Sequence, residues 1–122
     1  MPDCLFCKII KGEIKSYKIY EDKEFLAFLD IFPKSAGHTL VIPKAHVQWV
    51  WDYPELGRYF ELVGKLARHL RRVSGHEVVR GLVYGVEVPH AHVHLMPNQT
   101  DEFDGKQLVA DKLLALAKRY RF

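Results

Sequence analysis

The chain has 122 residues, 48% of them hydrophobic, which is enough apolar content for a single domain over residues 1–122 with a buried core. The formal net charge of +3 is a mild basic bias. Much of the positive charge lies near the ends of two helical patterns, on Arg68, Arg71, Arg72, Lys118, Arg119 and Arg121. Basic residues there complement the helix dipole, so we do not expect nucleic-acid binding. No apolar run approaches the ~18–20 residues of a membrane span and no signal-peptide pattern is seen, so a cytoplasmic protein without a membrane partner is expected.

The first half of the chain predicts a short helical turn followed by three strands. The turn covers Leu5–Ile10 and ends at Gly12. Apolar segments separated by charged or turn residues predict strands at about 17–20, 24–30 and 38–43, the last of which is stopped by Pro43.

The second half predicts a long helix, two strands and a short terminal helix. The long helix starts near Pro54, stops at Gly75 and carries one apolar stripe, formed by Leu56, Phe60, Val63, Ala67 and Leu70. Strands follow at about 77–85 and 88–96, and the terminal helix covers about 106–119. This order of elements indicates an α+β domain with an antiparallel sheet.

Three histidines alternate with apolar residues in the last predicted strand: His90, Ala91, His92, Val93 and His94. Because strand side chains alternate between faces, this spacing predicts that the three imidazoles share one surface while the apolar residues enter a core. Three histidines in strict alternation are improbable by chance. We therefore expect these three residues to be functional.

Two chemistries suit such a row of imidazoles. Neutral imidazoles are common zinc ligands, but three in a row on one strand struggle to complete a tetrahedron, since same-face neighbours are roughly 6.5–7 Å apart. In phosphoryl transfer, by contrast, the middle imidazole attacks phosphorus and its neighbours contact phosphate oxygens. This favours His92 as the nucleophile, with His90 and His94 as catalytic neighbours.

The other metal-ligating residues are less decisive on their own. Cys4 and Cys7 form a C-x-x-C pair, which fits half of a zinc site or two small buried side chains better than a redox pair. His38 opens a strand and is expected to form a local hydrogen bond, whereas His46 is left undecided by the sequence.

At this point the chain resembles the histidine triad (HIT) family of nucleotide hydrolases and transferases, specifically its small HINT-like branch with an N-terminal C-x-x-C. The resemblance covers most of residues 4–97 and is most specific in the segments 5–14, 19–31, 37–46 and 90–97. It implies a sheet that extends across a two-fold homodimer and a nucleotide bound with its α-phosphate at the triad. His94 matches the hydrolases, since the uridylyltransferase-like branch carries glutamine there.

Carried over by position, the resemblance assigns the nucleotide-binding residues. Phe6, Ile9, Phe28 and Ile31 would line the base and ribose pocket, and Asp30 would accept hydrogen bonds from the ribose hydroxyls. His92 would form a nucleotidyl-histidine intermediate that water cleaves, a chemical step that needs no metal.

The resemblance also implies a structural zinc ion, because some family members bind zinc through the residues that match Cys4, Cys7, His46 and His90. One departure stands out beside these matches. The loop before the triad is shorter than is usual in the family and lacks the Gln and Ser that contact phosphate and the leaving group there. It carries Glu87 instead, which would repel a nearby phosphate unless it turned away.

The leading hypothesis is a hydrolase of nucleoside 5'-phosphoramidates or related AMP-type substrates. A dinucleoside polyphosphate hydrolase is the nearest alternative. Two alternatives from other classes are a nucleotide-binding regulatory protein with little turnover and a metal carrier that uses the cysteines and histidines.

Overall fold

The computed structural model describes residues 3–122 and has the predicted α+β architecture. Along the chain the helices and strands are α1 (Leu5–Ile10), β1 (Lys18–Glu21), β2 (Phe25–Leu29), β3 (Thr39–Pro43), a short 3-10 helix (Val50–Asp52), α2 (Leu56–Ser74), β4 (Val79–Leu82), β5 (Val93–Pro97) and α3 (Ala110–Tyr120). The strands form one antiparallel sheet in the order β1-β2-β3-β5-β4. None of the helices in the described range is both long and apolar enough to cross a bilayer.

The two central strands β2 and β3 are buried along their whole length, because both faces of the sheet are covered. On one face, alternate residues such as Ala27 and Val41 join the main core with α2 and α3. On the other face, Leu26, Phe28 and Ile42 join a smaller core whose other members include Phe6 and Ile9 of α1. The short helix α1 therefore completes the fold on the face opposite the long helix.

Most predicted elements are confirmed, with differences at their ends. Helix α2 begins at Leu56 rather than near Pro54, and Gly75 ends it in the left-handed conformation (φ 77°), as expected of a glycine stop. The predicted strand at 77–85 is shorter, and the terminal helix starts at Ala110 instead of residue 106.

The largest difference concerns the histidine strand, which begins at Val93 instead of residue 88. Upstream of Val93 the backbone makes other bonds: the His90 amide donates to the Val88 carbonyl (2.8 Å) and the Ala91 amide to the Val47 carbonyl (2.7 Å). His90 and His92 therefore precede the regular strand, so strict alternation does not fix their directions.

Candidate nucleotide-binding and metal-binding site

A cavity of about 320 Å³ opens beside the end of β5, within the size range of small-molecule sites. Its walls come from α1, β2, the segment after β2, and the loop that joins β4 to β5. Every residue predicted to bind the nucleotide lies on these walls, namely Phe6, Ile9, Phe28, Asp30 and Ile31. The lining is mostly apolar and ends at two histidines, His92 and His94.

The ring of His92 is oriented by the backbone that precedes β5 and by α1. Its Nδ1–H donates to the backbone carbonyl of His90 (2.7 Å), so in the neutral ring the lone pair is on Nε2. The ring of Phe6 packs against it edge to face, with centroids 5.1 Å apart. A fixed tautomer with a free lone pair beside a cavity is what a nucleophilic imidazole requires.

His94 is oriented by a chain of hydrogen bonds that starts at a backbone amide. The Lys34 amide donates to Nδ1 of His38 (2.9 Å), so a neutral His38 carries its proton on Nε2. That Nε2–H donates to Nδ1 of His94 (2.9 Å), which leaves the proton of His94 on Nε2. His94 is therefore preset as a hydrogen-bond donor, the state in which it contacts a phosphate oxygen or a leaving group.

Burial keeps both of these histidines neutral. Burial, with a further contribution from His94, lowers the pKa of His38 to about 3, and burial, with a contribution from His92, lowers the pKa of His94 to about 4. The predicted local hydrogen bond of His38 is confirmed by its bond from the Lys34 amide, but the sequence offered no signal for its contact with His94, 56 positions away.

Asp30 lies beside this chain of histidines. Its Oδ1 accepts the Phe32 amide (2.8 Å), and its Oδ2 lies 3.6 Å from Nε2 of His38. Burial raises the pKa of the Asp30 carboxyl, with an added contribution from the negative charge of Glu87. Asp30, His38 and His94 also resemble a metal-binding group, but Nε2 of His38 already holds the proton that the Lys34 amide fixes there. We therefore assign this cluster to hydrogen bonding.

His90 does not share the surface of the other two histidines, which corrects the prediction of one common face. It is fully buried, it contributes nothing to the cavity wall, and its Nε2–H donates to the Pro43 carbonyl (2.7 Å). Its Nδ1 lies 3.3 Å from Sγ of Cys4 and 3.6 Å from Sγ of Cys7. Both ring nitrogens are thus occupied away from the cavity, and the hydrogen bond between His90 and His92 runs through the His90 carbonyl.

The four residues of the implied zinc site converge, although they are far apart in the sequence. One ligand atom from each of Cys4, Cys7, His46 and His90 lies within 4.8 Å of all the others, and Nδ1 of His46 is 3.3 Å from Sγ of Cys7. Zinc bonds of about 2.3 Å to sulfur and 2.0–2.1 Å to nitrogen place tetrahedral neighbours about 3.5 Å apart. The observed sulfur–nitrogen distances fit that spacing.

The surroundings of the four ligands also favour a cation. Burial and the adjacent Cys4 thiol raise the pKa of the Cys7 thiol, so a pair of thiolates at this position needs a neighbouring positive charge. The bond from His90 to the Pro43 carbonyl is the outer-shell contact that orients metal-bound histidines. The donor set suits a closed structural site better than a catalytic one, since it leaves no open position.

Residues 11–101 match the HIT domain family. The chain belongs to the HIT family. It is 43% identical to an uncharacterised HIT-like protein of Methanocaldococcus jannaschii over 84% of this chain and 83% of that protein.

Two further HIT relatives carry names that bear on chemistry. An adenosine 5'-monophosphoramidase of Saccharomyces cerevisiae is 39% identical over 81% of this chain and 65% of that protein. The crystal structure of a zinc-bound histidine triad protein of Mycobacterium smegmatis superposes with a TM-score of 0.79 at 29% identity, covering 98% of this chain and 91% of that one.

The buried state of His38 predicts a specific pH dependence of stability. Its pKa is about 6.5 in an unfolded chain and about 3 in the fold, so the unfolded state binds more protons over this interval. Stability is therefore full above pH 6.5 and falls as the pH decreases toward 3, with a slope from His38 of up to ~1.4 kcal/mol per pH unit.

Urea denaturation of the wild type and of His38→Gln between pH 7 and 4 measures this slope. The variant loses one hydrogen-bond chain and is less stable at pH 7, but its stability should decrease less steeply with acid. Equal slopes for the two proteins would contradict a buried neutral His38.

Proposed function

We propose that this protein hydrolyses nucleoside 5'-phosphoramidates or related AMP-type substrates through a nucleotidyl-histidine intermediate on His92. One observation carries the proposal: two imidazoles with complementary, fixed tautomers end an apolar cavity of nucleotide size. The phosphoramidase name of the yeast relative supports the same substrate class.

In the proposed mechanism, the base lies between Phe6, Ile9 and Phe28, with Ile31 nearby, and Asp30 accepts the ribose hydroxyls. Nε2 of His92 attacks the α-phosphorus as the bond from phosphorus to the leaving nitrogen breaks. Nε2–H of His94 donates a hydrogen bond to a phosphate oxygen, and the departing amine takes up a proton from solvent. Water then attacks the phosphorus and breaks its bond to Nε2 of His92, which releases the nucleoside monophosphate, returns one proton to solvent and restores the free imidazole.

His90 acts in this mechanism as a positioning residue through its backbone. Its carbonyl fixes the tautomer of His92, and its own ring joins Cys4, Cys7 and His46 around the proposed zinc ion. Bound zinc would tie α1 to the loop that precedes β5. The metal has a structural role, so the chemical step itself needs none.

We further propose a two-fold homodimer in which the sheets of two subunits are continuous. Strand β4 lies at one edge of the sheet, and Leu82 at its end is 44% exposed, so an apolar edge is available for pairing. Native mass spectrometry of the purified protein tests the subunit number.

The free thiols of Cys4 and Cys7 suit the reducing cytoplasm, where we place the protein.

A substrate panel tests the proposed function. We expect release of AMP from adenosine 5'-phosphoramidate without added metal. The kcat/KM for this substrate should be at least about tenfold above that for diadenosine polyphosphates. The reason is that the site contains two carboxylates, Asp30 and Glu87, which would repel the additional negative charge of a polyphosphate bridge. Faster cleavage of the polyphosphates would favour the alternative dinucleoside polyphosphate hydrolase. Tight AMP binding without turnover of either substrate would favour the alternative of a nucleotide-binding regulatory protein. The absence of Gln and Ser from the loop before His90 is the feature of this chain that supports that alternative.

A further inference from the structure

The loop between β4 and β5, residues 83–92, forms one side of the cavity mouth. Two features position it: Gly85 has a left-handed backbone (φ 79°) and lies next to the ring of Trp49, and Val88 packs against the small core that contains Phe6 and Phe28. Glu87 lies between these two anchored positions and lines the cavity together with His92 and His94. Its place at the rim is thus set by the backbone on both sides.

The carboxylate of Glu87 is exposed to solvent at the rim. Within residues 3–122 it has neither a salt bridge nor a side-chain hydrogen bond, in contrast to Glu21 and Glu24, which pair with Lys44 and Arg58. Its charge also acts across the cavity, because it contributes to the raised pKa of Asp30. An unpaired negative charge therefore lines the same cavity as His92 and His94.

The other charged groups on the cavity wall do not neutralise Glu87. Lys15 lies over the ring of Tyr17, with its ammonium 5.5 Å from the ring centre, and Asp30 carries the same sign as Glu87. Ser16, Tyr84, His92 and His94 complete the polar lining. A substrate that adds positive charge beyond its phosphate would be attracted to this rim, and one that adds negative charge would be repelled.

We propose that Glu87 determines the leaving-group specificity, so that the preferred substrates are nucleoside phosphoramidates whose leaving amine carries a second, cationic group. This inference rests on the proposed function and adds the chemical class of the leaving group. The nucleotide half of the substrate contacts the apolar wall, whereas the cationic group of the leaving half contacts the Glu87 carboxylate.

The test uses three adenosine 5'-phosphoramidates with leaving amines of similar length. One amine is a diamine with a cationic end, one is an uncharged alkylamine, and one is an amino acid with an anionic end. A weak attraction of the cationic end and a weak repulsion of the anionic end at an exposed carboxylate together predict that kcat/KM for the cationic substrate exceeds that for the anionic one about tenfold. The ratio should decrease as salt is added.

Three variants test whether Glu87 causes the preference for the cationic leaving group. Glu87→Gln is expected to reduce the cationic-to-anionic ratio to about one, and Glu87→Lys to reverse it. The control is Glu61→Gln, which removes the same charge from the exposed surface of α2, where Glu61 does not line the cavity, and it should retain the ratio of the wild type. An unchanged ratio in Glu87→Gln would overturn the proposal.

Binding measurements test the role of Glu87 independently of the proposed chemistry of His92. In a His92→Ala background the same three compounds are titrated by calorimetry, with Glu87 present or replaced by Gln. A dissociation constant several-fold lower for the cationic compound, dependent on Glu87, supports the inference even if no substrate is cleaved. Equal affinities for all three compounds, or no binding of any of them, would refute it.

Discussion

His92→Ala is expected to lower kcat/KM for adenosine 5'-phosphoramidate by at least about a thousandfold while nucleotide binding is retained. The variant removes the atom that forms the covalent bond to phosphorus, and loss of an enzyme nucleophile removes most of the rate enhancement. Binding persists because the apolar wall and Asp30 are untouched. Release of AMP is followed by chromatography, and AMP affinity by calorimetry.

The control for this variant is His76→Ala, which removes a histidine that lies just after α2 and does not line the cavity. It should have the rate of the wild type. Thermal unfolding of both variants shows whether the loss of rate reflects chemistry, since His92 is nearly buried and its truncation leaves a small void beside Phe6. A His92→Ala protein that is folded and retains a tenth of the wild-type rate would exclude His92 as the nucleophile.

An intermediate on His92 also has a direct signature. Wild-type protein mixed briefly with substrate and quenched in alkali should carry one added nucleotide on the peptide that contains residues 90–94, because phosphorus–nitrogen bonds of this kind are labile to acid. The same peptide from His92→Ala should be unmodified. Absence of the adduct from the wild type during turnover would favour direct attack by water.

The sequence predicted the elements that carry several of the cavity residues. Ile9 belongs to the predicted short helix and Phe28 to a predicted strand, and both elements form near the predicted positions. The resemblance to the HIT family then supplied the role of each position. The order of the strands could not follow from periodicity alone.

His90 shows where sequence reasoning fails. Alternation predicted its side chain on the same surface as His92, but the strand begins only at Val93, and the ring is held by Pro43 and the two cysteines. Such contacts join residues 47 and 86 positions apart, and no local pattern reports them. The same holds for His38, whose partner His94 comes from another strand.

The geometry around His90 links the proposed zinc site to His92, the proposed nucleophile. The ring is held at the cysteines, and the carbonyl of the same residue fixes the tautomer of His92 (2.7 Å). Helix α1, which carries Cys7, also supplies Phe6 to the cavity wall. Loss of the metal should therefore reduce both stability and the organisation of the nucleotide site.

Cys4→Ser is accordingly expected to reduce bound zinc from about one ion per subunit to below about a tenth and to lower the free energy of unfolding by roughly 2–5 kcal/mol. A hydroxyl is a poor replacement for a thiolate, and the three remaining ligands leave the ion one position short of a closed site. Native mass spectrometry measures the metal, and urea denaturation measures the stability. His76→Ala again serves as the control, because its imidazole lies outside the ligand cluster.

The zinc site and the nucleotide site should also affect each other's affinity, which can be measured without turnover. If zinc orders α1 and the residues around His90, the metal-depleted protein should bind AMP more weakly, and AMP should lower the equilibrium dissociation constant of zinc, measured by competition with a chelator, by the same factor. Equal zinc content and stability in the wild type and Cys4→Ser would show that the four residues form a hydrogen-bonded cluster without a metal. If zinc loss left AMP affinity unchanged, the metal would contribute only to the stability of the fold. The order of α1 would then have no effect on nucleotide binding in the cavity.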